Sequence, residues 1–291
     1  MRTTRTLIWL CAACTLFASC SLFDPEEPLP GYVVIPDFEF TTNYATEGTD
    51  SERITEVWVF ADDRMVGAYE LPAEVPILSE GAVDLQIFPG IKNNGIVNSR
   101  IIYPFYQSHL ETVVLEPLKK DTVRPQFVYK SNITIRLIDD FELANVFVLD
   151  GNTQGTLTRS NDPEVVFEGT RSLHLALSPD ESVSRIVSNE QQFLLPNTRQ
   201  SWLEMNYRCD NTFAMGLVRN NASGSTRELI MVLTPTTRNS AEPVWNKIYI
   251  ELNDVTWTSQ TGTYEVYFEM VKDAGNTAAN LWLDNVKIVH F

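Results

Sequence analysis

Apolar and polar positions alternate with a period of two through much of this chain. Leu173, Leu175 and Leu177 are separated by His174 and Ala176, and Leu203, Met205 and Tyr207 alternate with Trp202, Glu204, Asn206 and Arg208. Ile248, Ile250 and Leu252 oppose Lys247, Tyr249 and Glu251, and Val266, Phe268 and Met270 oppose Glu265, Tyr267 and Glu269. Successive side chains of a strand point to opposite faces, so each segment predicts a strand with one packed face and one more polar face. No segment sustains a 3.6-residue period over three turns. The pattern predicts an all-β protein.

The N-terminal half shows the same alternation in shorter pieces. The run at 55–60, the turn Ala61-Asp62-Asp63-Arg64 and the run at 65–71 predict a β-hairpin. Val83, Leu85 and Ile87 alternate with Asp84, Gln86 and Phe88, after which Pro89-Gly90 predicts a turn and Asn93-Asn94-Gly95 a second one. Segments 100–106 and 110–115 add two strands before a linker at 117–125. Six or so short strands predict a small β-sandwich over 37–127, of immunoglobulin-like or transthyretin-like type. Residues 20–36 hold Pro25, Pro28, Pro30 and Pro36 among acids, which predicts a tether. The remaining strands assign 128–291 to a second domain.

The first twenty residues follow a different pattern. Arg2 and Arg5 precede an apolar run from Leu7 to Phe17 that closes on Ala18-Ser19-Cys20, too short to span a bilayer and built as an export signal over 1–19. The segment resembles bacterial lipoprotein signals, which implies lipidation of Cys20, with Phe17 where a leucine is usual. Ser21 rather than Asp after the cysteine implies the outer membrane. Asp24, Glu26 and Glu27 resemble the surface-export signals of Bacteroidota-type lipoproteins. Loss of 1–19 removes two arginines and no acid, so the formal charge moves from -16 to -18. So acidic a body repels nucleic acid and anionic lipid, and membrane attachment falls to acyl chains. Cys11 and Cys14 leave with the signal, so Cys209 stands alone in the folded part and no internal disulfide is available.

The second half also carries short motifs in a telling order. Asp139-Asp140-Phe141-Glu142 comes early, Gly169-Thr170-Arg171-Ser172-Leu173-His174-Leu175 follows, and Leu283-Asp284-Asn285-Val286-Lys287-Ile288 ends the chain. This order resembles the jelly-roll carbohydrate-binding-module superfamily. The resemblance implies a C-terminal β-sandwich jelly roll and a structural Ca²⁺ held by Glu142 and Asp284, with Asp140 assisting. A hard cation of this kind takes about six to eight oxygen ligands.

Candidate binding chemistry follows from the strand faces. With the aliphatic faces turned inward, the opposite faces gather Trp202, Tyr249 and Tyr267 with Glu204, Asn206 and Arg208. Aromatic planes beside carboxylates and amides suit a sugar, which offers an apolar C–H face and a hydroxylated edge. The same residues also suit docking of the neighbouring domain or of a protein partner. Zinc spacings, GxSxG, P-loop and Rossmann fingerprints are absent. The expectation is a non-catalytic lipoprotein that binds a polysaccharide or other envelope ligand. The alternative is a protein-binding subunit of an envelope or secretion assembly.

Overall fold

Asp62 and Asp63 close the first hairpin with φ of 48° and 62°. Positive φ at both central positions is the turn that matches strand twist, and aspartate tolerates it. The computed structural model describes residues 27–151, 153–188, 192–237, 242–257 and 262–291; the export signal and Cys20 lie outside the described residues. The hairpin joins β3 (Glu56–Ala61) to β4 (Arg64–Glu70), and β3 pairs on its other side with β6 (Gly81–Lys92). Strand β6 runs straight through Pro89-Gly90, where the sequence predicts a turn. Gly90 serves close packing instead, because a Cβ there would lie 2.5 Å from Cγ of Glu56. The chain reverses at Asn93-Asn94-Gly95, with Asn94 and Gly95 at positive φ. Strands β7 (Arg100–Ile102) and β8 (His109–Leu115) complete this five-stranded sheet on β6.

The expected tether is shorter than the prolines suggest. Residues Gly31–Ile35 form β1, flanked by Pro30 and Pro36, and Val33 and Ile35 are fully buried. Strand β1 sits between β5 (Ala73–Ile77) and β9 (Lys120–Thr122), pairing antiparallel with the first and parallel with the second. Strand β9 falls within the expected linker at 117–125. Strands β2 (Glu39–Phe40) and β10 (Gln126–Phe127) form a small parallel pair, and α1 (Tyr44–Glu47) is capped by Asn43, whose Oδ1 accepts from the Ala45 N–H. Val33, Ile35 and Val75 share one core with Val57, Val59 and Leu85, so the three- and five-stranded sheets bury a common apolar layer.

The C-terminal half is an antiparallel two-sheet sandwich. One sheet runs in the order β13 (Thr156–Ser160), β14 (Ser172–Leu177), β21 (Ala279–His290), β16 (Ser201–Cys209), β19 (Asn246–Glu251), with β11 (Thr134–Asp139) also on β21. The other runs β12 (Phe147–Leu149), β15 (Val183–Ser188), β20 (Thr263–Val271), β17 (Phe213–Asn221), β18 (Gly224–Leu233). A one-turn helix, α2 (Asn253–Thr256), precedes β20. Leu173, Leu175, Leu203, Met205, Ile248, Ile250, Val266, Phe268 and Met270 lie in one core, as their alternation requires. Strand β21 shifts register where Glu204 faces Lys287 but Asn206 faces Asp284, and Asn285 has a φ of 50°. This bulge changes which side chains point out. Leu281 and Leu283 enter the core before it, Val286 and Ile288 after it, so Lys287 and Val289 emerge on the outer face.

Candidate functional site

The structure divides the predicted sugar platform. Trp202, Glu204, Asn206 and Arg208 stand on β16 and Tyr249 on neighbouring β19, whereas Tyr267 stands on β20 of the other sheet. Trp202 is 1% exposed, Glu204 0%, Asn206 2% and Tyr249 2%, because the N-terminal half covers this face. These four therefore do not form an open platform. Trp202 packs edge-on against Tyr103 at 5.5 Å, and the Tyr249 ring lies 4.8 Å from the Tyr103 ring. The Glu204 carboxylate accepts from Tyr103 Oη at 2.8 Å and Tyr129 Oη at 2.8 Å, and Lys247 Nζ lies 3.4 Å away. Tyr249 Oη accepts the Arg53 N–H, Ser51 Oγ donates to Asn206 Oδ1, and Lys287 Nζ donates to the Glu47 and Thr49 carbonyls. The aromatic and carboxylate set marks a joint within the chain.

Burial governs the electrostatics of that joint. It pushes the Tyr103, Tyr106, Tyr129 and Tyr249 hydroxyls well above their ordinary range, with the Glu204 charge acting in the same sense. It pulls the Lys247 ammonium down and brings Lys287 to about 8. Buried polar groups must find partners or cost stability, and here most do.

Arg208 turns elsewhere. Its guanidinium lies 5.1 Å from the Trp282 ring centre, and His174 stacks on the same indole at 4.7 Å with an 8° interplanar angle. Trp282 is 8% exposed, so this stack closes the uncovered end of the six-stranded face. Trp257 is exposed and donates its indole N–H to the Arg199 carbonyl at 2.8 Å. Cys209 is fully buried, its thiol pushed up to about 12 by burial, which rules it out as a nucleophile.

The outer face of the five-stranded sheet is where Tyr267 stands. Inward residues of β20 and β17 fill the core, so Glu265, Tyr267 and Glu269 point out beside Ala214, Gly216, Val218 and Asn220. The Tyr267 ring lies against Gly216, where an added Cβ would meet the ring at 2.6 Å. That contact leaves Tyr267 5% exposed, so it forms part of the floor. Beside it lies a cleft of about 440 Å³ lined by Asp150, Val187, Val218, Asn220, Ser225, Arg227 and Glu265. Asn220 Nδ2 donates to Glu265 Oε2 at 2.5 Å and its Oδ1 accepts from Ser225 Oγ at 2.5 Å. Arg185 bridges Asp150 and Glu269, and Arg227 reaches Asp150 at 3.4 Å. These pairs hold planar polar edges across five strands. Alternation signals Glu265 and Glu269 beside Tyr267, whereas Asn220 and Asn221, which end β17, carry no such signal.

The calcium ligands implied by the resemblance do not form one cage in this arrangement. Glu142 Oε1 accepts the Thr170 and Arg171 N–H groups and Oε2 accepts Thr170 Oγ1. Asp284 accepts from Ser172 Oγ and the Asn285 N–H. Asp140 accepts from the Glu142 N–H and from Tyr44 Oη. Each of these carboxylate oxygens is thus engaged by the protein. Among the described residues no three His, Cys, Asp or Glu side chains group as a metal site. Asp140 and Glu142 instead line an acidic cavity of about 400 Å³ with Asp50, Glu168 and Tyr44.

No protein family matches the chain, and no curated protein matches it. Solved structures are similar to it at low identity. One, described as addressing promiscuous specificity in carbohydrate-binding modules of the β-sandwich superfamily, is 13% identical over 90% of this chain and 98% of its own, with a TM-score of 0.38. A family 11 carbohydrate-binding module of a Clostridium thermocellum cellulase is 12% identical over 54% of this chain and 95% of its own, with a TM-score of 0.38. A family 29 module complexed with mannohexaose is 14% identical over 54% and 92%, with a TM-score of 0.35. At such scores the likeness carries no argument about what this chain binds.

Proposed function

We propose that this protein is a non-catalytic lipoprotein, anchored to the outer membrane through acyl chains on Cys20, that binds a polysaccharide on the outer face of its five-stranded sheet. The observation that carries this reading is the occupancy of the two faces. The N-terminal half covers the part of the six-stranded face that carries Trp202, Glu204, Asn206 and Tyr249, while the outer face of the β12–β15–β20–β17–β18 sheet keeps a cleft of about 440 Å³. Asp150, Asn220, Arg227 and Glu265 line that cleft with both donors and acceptors, as hydroxyl pairs require, over an apolar floor of Val187 and Val218. The N-terminal sandwich serves as a rigid base between sheet and membrane.

A protein ligand is the second reading, favoured by one feature of the same face. Leu229, Val232 and Val271 are 58%, 53% and 55% exposed there, and apolar side chains around a polar cleft suit protein docking. Affinity electrophoresis against a polysaccharide panel separates the two. Retardation by at least one neutral polysaccharide, lost in Arg227→Ala and Glu265→Ala, supports sugar binding. Silence across the panel, with Leu229→Asp abolishing capture of an envelope protein, supports the second reading.

A further inference from the structure

We infer that the end of the N-terminal sandwich nearest the proposed acyl anchor is a lipid-docking tip, in which Leu29, Leu78 and Leu118 enter the membrane that holds Cys20. Such docking rests on that anchor and sets the direction in which the protein stands.

Strand register brings the three leucines together. Gly31 pairs with Ile77, so Leu29 and Leu78 lie just beyond the same end of β1 and β5. The Leu118 N–H, at the start of the turn into β9, donates to the Pro30 carbonyl at 2.8 Å. The three side chains belong to residues 56%, 66% and 61% exposed. A single exposed leucine is ordinary, but three at one tip mark a contact surface. Leu118 also has a φ of 61°, in the left-handed region where a leucine is strained. Its side chain gains no burial in the fold to offset that strain.

The position of the tip in the chain names what covers it. Nine residues carry the chain from Cys20 to Leu29, so acyl chains in a bilayer keep the tip within about 30 Å of it even with the tether fully extended. Lys119 and Lys120 are matched by Glu116 and Glu74 at 2.5 and 2.6 Å, and Glu27 and Glu80 stand two positions from Leu29 and Leu78. The tip therefore has no basic surplus for anionic headgroups, and insertion into a neutral lipid layer is the contact that fits it.

The other end of the sandwich carries the C-terminal half. Strand β6 starts at Gly81, which pairs with Leu115, and a Cβ added at Gly31 would lie 3.1 Å from Leu115 Cβ. Just past its far end Asn93 donates to Glu251, and the Asn94 N–H donates to the Tyr249 carbonyl. The 12 residues of β6 span at most about 40 Å, so the docked tip holds the jelly roll clear of the lipid.

The test uses the acylated protein in phosphatidylcholine vesicles, with an environment-sensitive fluorophore on Ser79→Cys and, as a control, on Ser225→Cys in β18. Flotation with the vesicles reports the anchor. Emission from position 79 should shift to the blue on reconstitution and be quenched by spin-labelled lipid, with no change at 225. Leu78→Asp should abolish the shift. Leu118→Gly should diminish it while thermal stability is retained, because glycine accepts the positive φ. Protein that floats while position 79 stays in water overturns the docking and leaves the anchor standing, as does a shift indifferent to Leu78 and Leu118. Protein that does not float removes the anchor and the docking with it. A blue shift without lipid, in a form beginning at residue 21, also overturns the docking, since the leucines would then be meeting a second copy of the chain.

Discussion

Tyr103 and Glu204, 101 positions apart in the chain, meet in a hydrogen bond of 2.8 Å at a point closed to solvent. Tyr129 and Lys247 complete the surroundings of the carboxylate. Removing one partner of a buried charge pair strands the other, so Glu204→Ala should destabilise the whole protein by about 3–5 kcal/mol. Trp202→Ala should cost a similar ~3–5 kcal/mol through the cavity it leaves. Urea unfolding measures both, and each should lower the midpoint of a transition common to the two halves. Loss of less than about 1 kcal/mol would mean that the seam contributes little.

The lysines of the seam set an alkaline pH dependence. Burial lowers Lys287 in the folded state to about 8, against an ordinary 10.5. Below pH 8 the ammonium is charged in both states and folding bears the full cost of burying it. Between pH 8 and 10.5 the unfolded chain binds more protons, so stability rises with pH, by up to about 1.4 kcal/mol per unit. Lys247, lowered for the same reason, acts in the same sense. Above pH 10 the buried tyrosines reverse the trend, because the unfolded chain ionises first. Urea midpoints between pH 8 and 9.5 should climb, and Lys287→Met should reduce the slope.

Cys209 should behave as an inert core residue. In a form beginning at residue 21 it is the sole thiol, fully buried and with its ionisation pushed up to about 12. Its labelling by an aromatic disulfide reagent should require unfolding and follow the urea transition. Rapid labelling of the native protein would contradict the packing of β16.

Calcium should have little effect. A ligand that binds only the folded state raises its melting temperature by mass action, so a filled site would be visible at once. With the oxygens of Glu142, Asp140 and Asp284 engaged by Thr170, Arg171, Tyr44, Ser172 and Asn285, thermal unfolding should be unchanged by millimolar Ca²⁺ or by a chelator. A rise of several degrees with calcium would show that these groups reorganise around the ion.

The strands were legible in the sequence because burial of one face writes itself into alternate positions. Leu173, Leu203, Ile250 and Phe268 entered the core as their spacing requires. The partner of the opposite face was not legible. Trp202 and Tyr249 have the same alternation whether they meet a sugar or Tyr103, and no local pattern records a contact made so far along the chain. Prolines misled twice, at Pro30 to Pro36, which bracket a buried strand, and at Pro89, which continues one. The cleft of Asp150, Arg227 and Glu265 joins three separate strand regions, a juxtaposition that only sheet order supplies.

Hydrogen exchange with and without a retained polysaccharide tests the account most directly. The amides of 213–233 and 263–271 on the five-stranded sheet should gain protection on binding, while 202–206 and 247–251 should be protected already in the free protein. Protection gained at 202–206 and 247–251, with no change on the five-stranded sheet, would contradict it.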